Sequence, residues 1–81
     1  MARPSPSSAG DPSLVAIGAA IRTARRQNGL SQEALAHDAG LDRSYVGGIE
    51  RGEHNLTVLN LMRIAKALDM RSSAVLESAG I

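Results

Sequence analysis

Apolar residues recur at helical spacing in five stretches of this chain, each bounded by capping or turn residues. Leu14, Ile17, Ile21 and Ala24 share one face of a first helix, expected to start near Ser13 as its N-cap and run to Asn28, where Gly29 ends it. Ser31 caps a second pattern, in which Leu35 and Ala39 lie one turn apart. Gly40 follows where the chain must turn, since a left-handed backbone costs glycine nothing. Asp42 then caps a third helix reaching Arg51, with Val46 and Ile49 inward. Thr57 starts a fourth through Leu68, with Val58, Leu61, Ile64, Ala65 and Leu68 expected inward, and a short fifth spans about Ser72 to Ala79. The predicted fold is all-α, a compact bundle of five short helices.

The second and third patterns, hinged on Gly40, form a helix-turn-helix at the centre of the bundle. Ala36 is small where the second helix of the pair must cross closely. The usual work of such a unit is to lay its second helix in the DNA major groove, N-terminal residues first. Arg43, Ser44 and Tyr45 hold those positions. A guanidinium can bond bidentately to guanine O6 and N7, so Arg43 leads as a base contact, with a phosphate contact as its alternative. Ser44 can read either base type or a phosphate. The Tyr45 hydroxyl either donates to a phosphate or the ring packs against the second helix. His54 and Asn55 lie in the loop beyond, where they either add phosphate contacts or stay solvated. Gly47 and Gly48 are unexpected, because each costs about 1 kcal/mol against alanine inside a helix. Bare backbone there either lets the helix sit deeper in the groove or permits close packing.

Composition narrows the picture. With 81 residues, one tyrosine and no phenylalanine or tryptophan, the chain has an aliphatic core and little space for a catalytic domain. Net charge is only +1, but Arg22, Arg25 and Arg26 cluster on the first helix, and Arg43 and Arg51 bracket the third. No cysteine is present, and His37 and His54 lack companions at metal-ligand spacing. Ser31 and His37 are more than a turn apart on one helix, so they make no nucleophile–base pair. The expectation is a non-enzyme with no cofactor, metal or small-molecule ligand. The longest apolar run, Leu14 to Ile21, is too short to span a membrane, and the N-terminus lacks the apolar core of a signal peptide; the expected location is cytoplasmic. Residues 1–12, MARPSPSSAGDP, contain all three prolines and are expected to form a disordered arm, with residues 13–81 as the folded domain. Arg3 is the one residue of that arm suited to a minor groove.

The run SQEALAHDAGLDRSYVGGIERG resembles the helix-turn-helix of the lambda-repressor-like (Cro, or XRE) family of bacterial and phage DNA-binding proteins. RSYVGGIERGEHNLTVLNLMRIAKAL is similar to the small controller proteins of restriction–modification systems. The resemblance covers roughly residues 14 to 76, with the Ser-Gln-Glu, Leu-Ala, Gly and Ile-Glu-Arg-Gly positions in register. It implies that Arg25 pairs with Glu50, tying the first helix to the end of the third. It also implies phosphate contacts from Gln32 and Arg51, for which a helix start and a helix end are physically suited. Gly48 departs from the family, which often has a base-reading side chain there. Met70, Val75, Leu76 and Ile81 form an apolar C-terminal strip that either closes the monomer core or buries itself in a homodimer, as family members of this size do. The implied function is a dimeric transcriptional regulator of a short palindromic operator, autoregulating its own gene and a linked endonuclease gene. A phage-type repressor, an antitoxin-type regulator, or a module binding a protein such as a toxin shares the motif. Activation would add RNA polymerase as a partner, through Glu33 or Asp38.

Overall fold

Short helices are unstable alone, so each depends on its caps and on the neighbours it packs against. The computed structural model describes residues 7–81. Its helices are α1 Pro12–Gln27, α2 Gln32–Ala39, α3 Arg43–Glu50, α4 Val58–Ala67 and α5 Ser72–Ser78. Three begin at the expected caps. Ser31 Oγ accepts from the Ala34 amide at 3.0 Å, Asp42 from Ser44 at 3.2 Å, and Thr57 Oγ1 from Asn60 at 3.1 Å. At the α2–α3 turn Gly40 takes φ 70°.

The start of α1 differs from expectation. Asp11, not Ser13, is the N-cap, its carboxylate accepting from the Ser13 amide at 2.9 Å. Pro12 then occupies the first helical position, where its fixed φ suits the helix and its missing N–H is not needed. The folded part therefore starts inside the expected arm. A turn at Ser7–Gly10 precedes it, and the Gly10 amide donates to Gly52 O at 2.8 Å, docking this turn on the loop after α3. Arg3 lies outside the described residues.

Ile21, Leu35, Val46, Ile64, Leu68 and Val75 are the largest fully buried side chains. They come from every helix or its cap, because α3 packs on α1 and α2, α4 packs on α2, and α5 closes against α1 and α4. Two expectations are corrected here. Val75, assigned to a dimer strip, is 1% exposed and completes the monomer core. Val58, expected inward, is 72% exposed; burial on α4 begins only at Leu61. Leu59 and Met62 are exposed on the same helix.

A close helix contact runs through Gly18, at the α1–α3 crossing. A Cβ built there would stand 2.3 Å from Ile49 O and 2.7 Å from Glu50 O, both rigid backbone atoms. In an open helix, replacing glycine by alanine gains about 1 kcal/mol. Here the sign reverses: Gly18→Ala is expected to destabilise the fold by about 1–3 kcal/mol through overpacking. Thermal unfolding followed by circular dichroism at the helix band checks this, with a lowered midpoint as the expected result.

Candidate nucleic-acid interface

The last residue of α3, Glu50, is a buried carboxylate and needs partners. Arg25 on α1 supplies the main ones: its Nε donates to Oε2 at 2.7 Å and its Nη2 to Oε1 at 3.1 Å, while Nη1 donates to Leu30 O at 2.8 Å. The pair implied by the family resemblance is thus brought together. Gln32, at the start of α2, donates its side-chain amide to Oε1 at 3.1 Å. Arg22 joins from the solvent side at 3.4 Å, a partner the sequence reading did not assign. Burial presses the Glu50 carboxyl toward its neutral form. Hydrogen bonds from Arg25 and Gln32, the Arg25 charge and the Arg22 bond outweigh it, leaving the pKa below the ordinary carboxylate value. One carboxylate therefore fixes the C-terminal end of α3 against both α1 and α2.

With Val46, Ile49 and Glu50 inward, helical spacing places Arg43, Gly47 and Arg51 along one outer face. Arg43 is exposed, and among the described residues no hydrogen bond or ion pair holds it. Gly47 lies beneath two side chains: a Cβ there would meet Arg51 Nη1 at 3.2 Å and Gln32 Oε1 at 3.5 Å. Gln32 and Arg51 thus converge over the middle of α3, although they are far apart in sequence. Arg51 is exposed and bonded to Glu53 through Nε at 2.7 Å and Nη2 at 3.3 Å. That bond raises the Arg51 pKa and lowers that of Glu53. Asn55 is exposed on the same loop.

Ser44 is less available than expected. It is half-buried, and both its amide and its hydroxyl donate to the Asp42 carboxylate. The Ser44 hydroxyl bond is the main reason the Asp42 pKa is lowered. Its hydroxyl therefore faces the cap and offers lone pairs rather than its hydrogen.

One further expectation is corrected beside α3, that of His54, which lies against Tyr45. Tyr45 is half-buried and packs against the core. Its ring lies 4.8 Å from that of His54, and its hydroxyl accepts from Asn60 Nδ2 on α4 at 2.9 Å. His54, expected to be solvated or on a phosphate, is only 7% exposed. The cause is Gly48, where a Cβ would stand 2.4 Å from His54 Nε2: the missing side chain leaves a recess that the imidazole fills. The glycine pair thus serves side-chain packing. Asn60 was missed by the sequence reading, because a polar residue in the first turn of a helix gives no signal beyond solvation.

Among the described residues no cluster of His, Cys, Asp and Glu is placed to hold a metal, and no helix is long and apolar enough to cross a membrane. The helix-turn-helix family (HTH_3) matches residues 21–75. Control protein C.SmaI of Serratia marcescens is 43% identical over 61 residues, covering 75% of this chain and 73% of that protein. Control protein C.BamHI of Bacillus amyloliquefaciens is 36% identical over 62 residues, 75% of this chain and 76% of that protein. The crystal structure of the restriction-modification controller protein C.AhdI from Aeromonas hydrophila superposes with a TM-score of 0.75 and 48% identity, covering 76% of this chain and 94% of that one.

The depressed Glu50 pKa sets the sign of an acid effect. Its contribution to stability is full above the unfolded carboxylate pKa, about 4.3, and is lost as pH falls through the lower folded value. Urea unfolding between about pH 7 and pH 3 should therefore show stability declining toward the acid end. Glu50→Gln leaves Arg25 buried without its countercharge; it should lose about 3 kcal/mol or more at neutral pH and show a flatter acid limb.

Proposed function

Because this chain belongs to the Cro/XRE-type helix-turn-helix family of DNA-binding transcription regulators, we propose that it is the controller of a restriction–modification system. It acts as a homodimer on a short palindromic operator and regulates its own gene and a linked endonuclease gene. The observation that carries this reading is the outer face of α3: Arg43 at its start, exposed and unpaired among the described residues, with Gln32 and Arg51 converging over Gly47. The likeness to three control proteins supports the cellular role.

In this reading Arg43 bonds to a guanine edge, and Ser44 accepts at most a secondary base contact. Gln32 keeps a second amide hydrogen beyond the one given to Glu50, and Arg51 keeps Nη1 beyond its bonds to Glu53. Both are directed to phosphates, with Asn55 and the Tyr45 hydroxyl beside them. Dimerisation uses apolar side chains that the fold leaves exposed or half-covered: Leu59 and Met62 on α4 and Ile81, 62% exposed, at the end, with the half-buried Met70 and Leu76 alongside. Two α3 helices about 34 Å apart then meet half-sites one helical turn apart. Glu33 and Asp38 are exposed on α2, where RNA polymerase can reach them if the chain activates.

A salt titration on the DNA upstream of the gene for this chain tests the reading, with sedimentation counting chains per duplex. Log affinity should fall linearly with log salt at about 0.9 per phosphate neutralised, with two chains bound. Arg43→Ala should lose about 1–3 kcal/mol of discrimination between operator and mixed-sequence DNA while retaining its fold. Weak binding that ignores both salt and sequence would contradict it.

A further inference from the structure

We propose that Asn60 is a positioning residue for DNA recognition, holding the Tyr45 hydroxyl so that its hydrogen is presented to an acceptor on the DNA. The proposal rests on the preceding reading that the outer face of α3 meets DNA. A phenolic oxygen carries one hydrogen and can accept through its lone pairs. Asn60 Nδ2 donates to it at 2.9 Å, and an amide nitrogen has only hydrogens to give. The phenolic hydrogen must therefore point elsewhere. Among the described residues no acceptor takes it.

The ring has little freedom to turn away. His54 packs against it with centroids 4.8 Å apart and planes tilted by 55°. His54 is itself buried, seated where a side chain on Gly48 would stand. Asn60 is fixed from behind, because its backbone amide donates to Thr57 Oγ1 at 3.1 Å in the first turn of α4. Gly48, His54, Tyr45 and Asn60 thus form one chain of contacts from the middle of α3 to the start of α4, which leaves the phenolic hydrogen of Tyr45 to point away from Asn60. Phosphate oxygens, guanine O6 and N7 and thymine O4 share the acceptor chemistry this donor fits.

The test uses a duplex that the wild-type chain selects from a random-sequence pool, with a mixed-sequence duplex as control. Tyr45→Phe should weaken binding about tenfold, the loss of one hydrogen bond to a charged or strongly accepting group. Asn60→Ala should weaken it about threefold on the wild-type background and leave it unchanged on Tyr45→Phe, the coupling expected of groups acting through one bond. Asn60→Asp reverses the bond, since a carboxylate accepts the phenolic hydrogen. It should therefore weaken binding more than Asn60→Ala, and the excess should shrink on Tyr45→Phe to the effect of the added charge. The chain has one tyrosine and no tryptophan, so its intrinsic emission reports Tyr45 alone and should change with Asn60→Ala before any DNA is added. Losses of equal size on both duplexes place the acceptor on a phosphate, and a loss confined to the selected duplex places it on a base edge; both support the proposal. An Asn60→Ala loss that is the same on both protein backgrounds, or absent on the wild type, would overturn it and leave the DNA-binding reading intact. Failure of the wild-type chain to enrich any duplex would overturn that reading and this proposal together.

Discussion

The Glu50 carboxylate sets the direction of α3, and the arrangement of the outer surface follows from it. Apolar burial of Val46 and Ile49 drives α3 onto its neighbours, but such burial is non-directional and tolerates a tilted or rotated helix. A carboxylate bonded to Arg25, Gln32 and Arg22 tolerates far less, because a shift of an ångström breaks charge-assisted bonds to a carboxylate that is itself buried. For an eight-residue helix that is too short to be stable alone, this anchor matters more than propensity does. Gly18 belongs to the same device. Only without a side chain there can α1 approach the carbonyls of Ile49 and Glu50 closely enough for Arg25 to reach across.

Once α3 is fixed at that end, its two glycines acquire different uses. Gly47 lowers the outer face so that Gln32 and Arg51 come together over it, between the exposed guanidinium of Arg43 and the end of the helix. Gly48 opens a recess on the neighbouring face, and His54 fills it and braces Tyr45. The intrinsic cost of two glycines in one short helix is thus met by packing on both sides. The near-neutral total charge also ceases to be an objection. Glu50 is internal to the fold and Glu53 bonds to Arg51, whereas Arg43 stands exposed at the start of the helix.

The elements legible in the sequence were those with local causes. Ser31, Asp42 and Thr57 cap because a short acceptor precedes an amphipathic run, and Gly40 turns because the run changes face. The pairing of Arg25 with Glu50 was reached through family register, since no local rule links residues 25 positions apart. What escaped depends on the third dimension. Gly18 reads along the chain as an interruption of an apolar run, and nothing in periodicity says that a carbonyl lies against it. His54 reads as loop, because its burial is caused by Gly48 and Tyr45 together. Val58 obeys the helical period yet stands exposed, since periodicity does not say where along a helix burial begins. Val75 could serve the core or a dimer face, and α5 closing on α1 decides for the core. At the start of α1 the sequence pointed to Ser13 alone, and the preference of Pro12 for the first helical position moves the cap to Asp11.

We propose that α3, held by Glu50, presents its outer N-terminal face to DNA. Amide and side-chain NMR spectra of the labelled chain, titrated with a selected operator duplex, test it most directly. The largest changes should fall on Gln32, Arg43, Ser44, Tyr45 and Arg51, while the Arg25 guanidinium resonances persist, bonded to Glu50 in free and bound states alike. Changes centred on α4 and α5 with the α3 face undisturbed, or loss of the Arg25 signals on binding, would contradict it.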